Sequence, residues 1–218
     1  MQMMKIALSR MHFPVTSLGP GQRVGIWFQG CSIRCEGCIS IDTWNPNKNM
    51  VDIVAVLDLL SDWLPKAEGV TITGGEPFDQ FPVLKRILQF IRKFDHLDTF
   101  VYSGYSLEEL GHQINELDGL VDLLMPEPLD IRFPQTKPLR GSDNQALHSF
   151  SYKGEALLNE IVRQSSHTPH LNLAYDGDTA WIAGVPKRRD LLRTMELLKK
   201  DGVDACSLED ERLRDYQQ

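Results

Sequence analysis

Residues 23–38 read RVGIWFQGCSIRCEGC, a strand-like apolar run that passes straight into a loop carrying three of the chain's four cysteines. Cys31, Cys35 and Cys38 fall within eight residues. Thiolates bind soft metals, and close spacing in one loop holds several sulfurs around one centre. A structural zinc site needs four ligands, usually from two knuckles. Here the fourth cysteine, Cys206, stands far off, and none of the six histidines lies in the loop, His12 being the nearest in sequence. The C-x3-C-x2-C spacing also differs from the paired C-x2-C of zinc ribbons. Three thiolates on a cubane [4Fe-4S] cluster leave one iron open, whereas an electron-carrying cluster usually has four. An open iron can bind a substrate or cofactor, as a catalytic metal keeps one position free. A non-catalytic zinc-binding interaction module is the distant alternative.

Outward from the loop, the chain has an ordinary globular composition, with 218 residues, 42% hydrophobic and 24% charged. That length suits one domain, or one domain with an extension. The formal charge of −7 argues against a nucleic-acid binder held by a broad basic face. The opening MQMMKIALSR lacks the apolar core of a secretory signal, and no apolar run approaches the roughly 18 residues of a membrane helix. Clustered cysteines speak against a disulfide framework. The expectation is a cytoplasmic protein in a reducing compartment, without membrane or nucleic-acid partners.

Strand-like runs alternate with helical periods. After the strand at 23–29 come a helix over 51–64 stopped by Pro65, a β-branched strand at 69–73, and a helix over 79–94 with Pro82 in its first turn. A strand at 98–103, a helix at 106–117 and a strand at 120–125 follow. Ser106 and Glu109 spell a capping box. This rhythm predicts an α/β fold with a parallel sheet. Residues 126–145 are rich in proline and polar groups and read as an irregular, functional segment. Beyond it, 154–164 predicts a helix, 171–184 a hairpin around an Asp-Gly turn, and 187–200 an amphipathic helix. The charged tail LEDERLRDYQQ is expected to fray.

With the cysteine loop, TITGGEP at 71–77 makes the sequence resemble the radical S-adenosylmethionine enzymes. That resemblance implies a partial (β/α) barrel over residues 1–150, with a C-terminal hairpin and helix extension over 151–218 packed on it. It implies that Cys31, Cys35 and Cys38 ligate a [4Fe-4S] cluster whose open iron chelates S-adenosylmethionine. Gly74, Gly75, Glu76 and Pro77 would line the pocket for the methionine amino group. The glycines let backbone approach a ligand closely, and the proline fixes the following turn. Ser103, Gly104 and Tyr105, at the carboxyl end of a parallel strand, are placed to contact nucleoside or substrate.

A finer resemblance is to the activating enzymes of anaerobic ribonucleotide reductase and related small single-cluster proteins. It is carried by SLGPGQRVGIWFQGC, ISIDTWN, VYSGYSLEEL and PLRGSDNQALH, in order over about residues 17–148. In the last of these, Arg140, Ser142, Asn144 and Gln145 form a polar run for cofactor or partner, with Asn144 assigned to the cofactor. The resemblance implies reductive cleavage of S-adenosylmethionine to a 5′-deoxyadenosyl radical, fed by an external one-electron reductant such as flavodoxin or ferredoxin. The product would be a glycyl radical on a partner protein; modification of another protein, peptide or small molecule is the alternative. Two departures stand out. Ile39 follows Cys38 where the family usually has an aromatic residue, and MPEPL at 125–129 replaces Val-Asp-Gly-Pro-aromatic, leaving open whether Glu127 substitutes for the aspartate. Trp27 and Trp44 flank the loop as part of its apolar shell, and Trp181 is expected to pack within the hairpin.

Overall fold

The computed structural model describes residues 4–164, 171–175 and 180–202. Its first half runs β1 (Lys5–Val15), β2 (Arg23–Phe28), β3 (Met50–Asp52), α1 (Ile53–Trp63), β4 (Gly69–Gly74), α2 (Phe81–Ile91) and β5 (Asp98–Tyr102). The second half runs α3 (Leu107–Glu116), β6 (Leu123–Met125), β7 (His148–Ser149), α4 (Tyr152–Arg163), β8 (Asn172–Tyr175), β9 (Ala180–Ala183) and α5 (Asp190–Lys200).

Seven strands form one mixed sheet in the order β3-β1-β2-β4-β5-β6-β7, and β8 and β9 form a separate antiparallel hairpin. The inner four, β2, β4, β5 and β6, are parallel, with Phe28 level with Gly74 and Tyr102 level with Met125. Antiparallel strands finish both sides. Every residue of β2 is buried, as expected of a parallel strand covered on both faces. Three apolar clusters then form on the two faces that side-chain alternation gives the sheet. Val24, Ile26, Phe28, Val70, Ile72, Val101 and Leu124 pack with the apolar stripes of α1, α2 and α3. Phe100, Leu123 and Met125 face Leu157 and Ile161 of α4, while Trp27, Val15 and Leu18 face Ala183 of the hairpin.

The helices start where side chains satisfy their free N–H groups. Asp52 accepts from the Val54 amide at 2.9 Å, Ser106 and Glu109 close the capping box, and Ser151 accepts from Gly154 at 3.1 Å. At the amino ends of the strands Arg23, fully buried, bonds Thr71 Oγ1 at 2.7 Å and pairs with Asp98, tying β2, β4 and β5 together.

The α/β class and the parallel sheet of the sequence reading are present, and the sheet is open, with β3 and β7 as its outer strands. Three strands went unanticipated: β1, the short β3 and the two-residue β7. β1 has Ser9, Arg10 and His12 among its half-exposed residues, which break the apolar pattern that marks a strand. The helix expected over 79–94 divides into a 3-10 turn at Pro77–Gln80 and α2. Residues 51–52 belong to β3 rather than to the first helix, and β6 is shorter than 120–125. Trp181 lies edge-on against His12 with ring centroids 4.2 Å apart, so it docks the hairpin onto β1 and β2. Among the described residues no helix is long and apolar enough to cross a membrane. The Asp-Gly turn, the tail and Cys206 lie outside the described residues.

Candidate functional site

The cysteine loop leaves the carboxyl end of β2 and is fastened by backbone before any side chain acts. Gly30 N–H donates to Thr43 O at 2.6 Å, Gly30 O accepts from Glu76 N–H at 2.8 Å, and Cys31 N–H donates to Trp44 O at 3.1 Å. The β2–β4 pairing therefore continues past Gly74 into the motif loop. Gly75 is required by this approach, because a Cβ there would lie 2.0 Å from Gly30 O. The close approach that the two glycines permit is to the backbone of Trp27–Gly30. Two glutamine side chains act as substitute backbone. Gln29 donates to the carbonyls of Asp42 and Asn45, and Gln80 bonds both Ala7 N–H and Ala7 O while also donating to Gln29 O at 2.9 Å.

Glu76, 1% exposed, braces the next strand. Its carboxylate accepts from Phe78 N–H at 3.0 Å, Ser103 Oγ–H at 3.0 Å and Gly104 N–H at 2.7 Å. Burial outweighs these three donors and pushes its pKa up to about 7. Asp79 makes a second brace. It accepts from Ser32 N–H at 2.8 Å, Ser32 Oγ–H at 3.0 Å and Tyr105 O–H at 2.7 Å. The cysteine loop, Gly74–Pro77 and Ser103–Tyr105 are thus held as one unit at the carboxyl edge of the parallel strands, where open α/β sheets bind ligands.

The three thiols are half-buried and free. Burial raises all three, Cys38 to about 11; negative charge adds to this, from Glu76 and Cys35 on Cys31, from Glu76 on Cys35, and from Cys35 and Cys31 on Cys38. Backbone amides of Ile33 and Arg34 act in the opposite sense on Cys31, that of Leu129 on Cys35, and that of Ser40 on Cys38, from 3.4 Å. Among the described residues no three Cys, His, Asp or Glu side chains converge as closely as a single metal ion requires; a cubane spaces its thiolates more widely than one ion does.

The long segment after β6 roofs the loop. A Cβ on Gly37 would meet Ile131 at 2.6 Å, and one on Gly104 would meet Ile33 at 2.7 Å. Two buried polar atoms here have no partner, Arg140 Nε and Asn144 Oδ1, while the Trp44 indole acts on the Cys38 thiol. Asn144 Nδ2 donates to Pro128 O, and Gln145 bridges Gly141 N–H to Glu127 O. Glu127 has φ +84°, the left-handed conformation that favours glycine. Set position for position against the Val-Asp-Gly-Pro-aromatic pattern of the resemblance, MPEPL puts Glu127 opposite the glycine, which this φ suits, and Pro126 opposite the aspartate.

All the sequence-singled residues of the three loops come together; Arg140, Ser142 and Gln145 lie in the roof beside them. Asp79, Ser32 and Leu129 were missed. An acid in the first turn of a helix reads as a complement to the helix dipole, so nothing in Asp79's position announced a brace.

A 4Fe-4S single cluster domain family matches residues 17–148. The chain is 31% identical over 136 residues to the anaerobic ribonucleoside-triphosphate reductase-activating protein of Enterobacteria phage T4, covering 60% of this chain and 86% of that protein. It is 30% identical over 147 residues to the protein of that name from Escherichia coli K12, covering 63% and 95%, and 29% identical over 145 residues to that of Haemophilus influenzae, covering 61% and 90%. With the cysteine loop, the Gly-Gly-Glu-Pro turn and the family match on the same residues, the chain belongs to the 4Fe-4S single cluster domain family.

Proposed function

We propose that this chain is a radical S-adenosylmethionine activase that makes a glycyl radical on a partner protein such as anaerobic ribonucleotide reductase. The observation that carries the reading is the joining of three sequence-distant loops by Glu76 and Asp79 at one sheet edge, beside three clustered thiols. The open sheet is then the wall of a partial (β/α) barrel, residues 1–150 its core and 151–218 an extension packed on it, working in the cytoplasm.

The residues fit a [4Fe-4S] cluster. Cys31, Cys35 and Cys38 would hold it, with amides of Ile33, Arg34, Leu129 and Ser40 stabilising thiolate over thiol. When bound, the cluster supplies the single electron for reductive cleavage of S-adenosylmethionine, renewed by flavodoxin or ferredoxin. The protein's share is orientation and exclusion of water. Gly74–Pro77 sets the floor for the methionyl end, with Glu76 holding Ser103 and Gly104 in place. Tyr105 is fixed through Asp79. Arg140 Nε and Asn144 Oδ1, buried and unsatisfied, offer a donor and an acceptor to a polar ligand such as S-adenosylmethionine, since such groups are costly to leave unpaired.

The test is anaerobic reconstitution with iron and sulfide, reduction with dithionite, and assay of 5′-deoxyadenosine, with Cys35→Ala as control. Product that depends on the three cysteines supports the reading. Stoichiometric zinc and no iron would instead indicate an interaction module. A second target, some other protein, peptide or small molecule, is favoured by Pro126 in the aspartate's place and by the hairpin and helix beyond the family match; it predicts 5′-deoxyadenosine without a glycyl radical on the reductase.

A further inference from the structure

We propose that Arg188, forty residues beyond the end of the family match at 148, is a positioning residue that clamps the roof segment over the cysteine loop. Its guanidinium donates to Ile131 O at 2.8 Å, Phe133 O at 2.8 Å and Gly141 O at 3.2 Å, with Asp130 O at 3.5 Å. Its backbone N–H donates to Gln135 Oε1 at 3.0 Å, and Gln135 Nε2 in turn donates to Pro186 O and Arg140 O. Four carbonyls of one loop thus point at one side chain from a different part of the chain.

The roof needs such a tie. Between β6 and β7 it has no helix or strand, and it holds Glu127 and Leu139 at positive φ. Its own bonds close it only into a ring: Asp130 N–H to Ser142 Oγ, Asp143 N–H to Pro134 O, and Thr136 and Lys137 N–H to Asp143. Arg188 fills the carbonyl-lined inside of that ring. A planar fork with five N–H donors can satisfy several diverging carbonyls together, which a lysine's single ammonium centre cannot. Among the described residues Arg188 makes no close salt bridge, although its charge acts on the Asp130 carboxyl of the same loop, and its hydrogen bonds go to the loop backbone.

The clamp reaches the site through contact. The roof lays Ile131 and Leu129 against Gly37, between Cys35 and Cys38. The Leu129 amide acts on the Cys35 sulfur. The C-terminal extension therefore stiffens one wall of the cysteine site without contributing a ligand.

Hydrogen exchange on the full metal-free chain, read by mass spectrometry, tests the clamp directly. Arg188→Ala should speed exchange of peptides covering 129–142 about tenfold, with a smaller rise at 31–38 and none in β2, β4 or β5. Arg188→Lys should fall between, and Arg193→Ala, which removes a local pair with Asp190, should match wild type. A rise under twofold at 129–142, or an equal rise along the whole chain, overturns the proposal. A second arm rests on the cluster reading: after reconstitution, chelator should bleach the Arg188→Ala cluster about tenfold faster. Equal bleaching overturns the role at the site, even with altered exchange. If wild type takes up no cluster, that failure belongs to the cluster reading, and the exchange arm alone decides the clamp.

Discussion

Gly104 N–H donates to Glu76 Oε2 at 2.7 Å, joining the Gly-Gly-Glu-Pro turn to the turn after β5 across 28 positions of sequence. The carboxyl that receives this bond is buried, and burial lifts its pKa from 4.5 to about 7. A raised acid keeps its proton in the fold longer than in the unfolded chain. Below pH 4.5 both states are protonated and nothing is lost. Between pH 4.5 and 7 only the unfolded chain has released its proton, so stability falls as pH rises, by about 3 kcal/mol in all. In metal-free protein, Glu76→Gln should flatten that fall. Urea denaturation at pH 5 and pH 8 measures it, and an undiminished pH difference in the variant would sink the assignment.

Asp79 ties Tyr105 to Ser32, so the two ends of the tie should be energetically coupled. A double-mutant cycle with Asp79→Ala and Tyr105→Phe should show a coupling of about 1 kcal/mol in urea unfolding. Simple additivity would mean that the brace transmits nothing.

Gly75→Ala forces a Cβ onto the Gly30 carbonyl. Backbone cannot yield as a flexible side chain does, so the loss should be about 3 kcal/mol or more, with iron per chain after reconstitution falling in parallel. Gly119→Ala is the comparison. Its Cβ would meet nothing within 4 Å, leaving only the strain of φ +69°, about 1 kcal/mol. Equal effects at the two positions would contradict the close-approach argument.

Among the thiols, Cys38 carries the pKa raised to about 11. At pH 8, alkylation of metal-free protein followed by peptide mass spectrometry should find it reacting slowest. Reaction as fast as that of Cys31 would show that its burial does not persist in solution.

At the other end of the sheet, buried Asp122 accepts from Arg92 Nη2 at 2.6 Å, from Thr99 N–H at 2.8 Å and from Ser151 Oγ–H at 2.5 Å. Arg92→Ala leaves that carboxylate without its cation and should cost about 3 kcal/mol. Arg92→Lys should recover part of it. The readout is urea unfolding with the cysteine site left untouched.

Much of this was legible along the chain. The apolar and β-branched runs in β2, β4 and β5, alternating with helical periods, announced parallel strands, and Ser106 with Glu109 announced the start of α3. The cysteine spacing and Gly-Gly-Glu-Pro marked the site because each is a local pattern with a chemical reason. What escaped depends on meetings across space. β1 hid because its half-exposed polar residues break the period. Asp79 looked like an ordinary helix-start acid, and Arg188 sat in a basic run that reads as a solvated face. Gly74 and Gly75 were recognised as permitting close approach, but which partner they approached required coordinates.

The amide of Gln80 holds both backbone groups of Ala7, 73 positions earlier. During synthesis, then, the first strand cannot complete its bonding until residue 80 has cleared the ribosome. β4, the parallel partner of β2, also emerges only by residue 74. Until that moment Cys31, Cys35 and Cys38 travel on a nascent chain with no walls around them. Their exposure to oxidants and stray metals therefore depends on elongation time, and slowing translation over the interval in which residues 38 to 80 emerge from the ribosome would lengthen it.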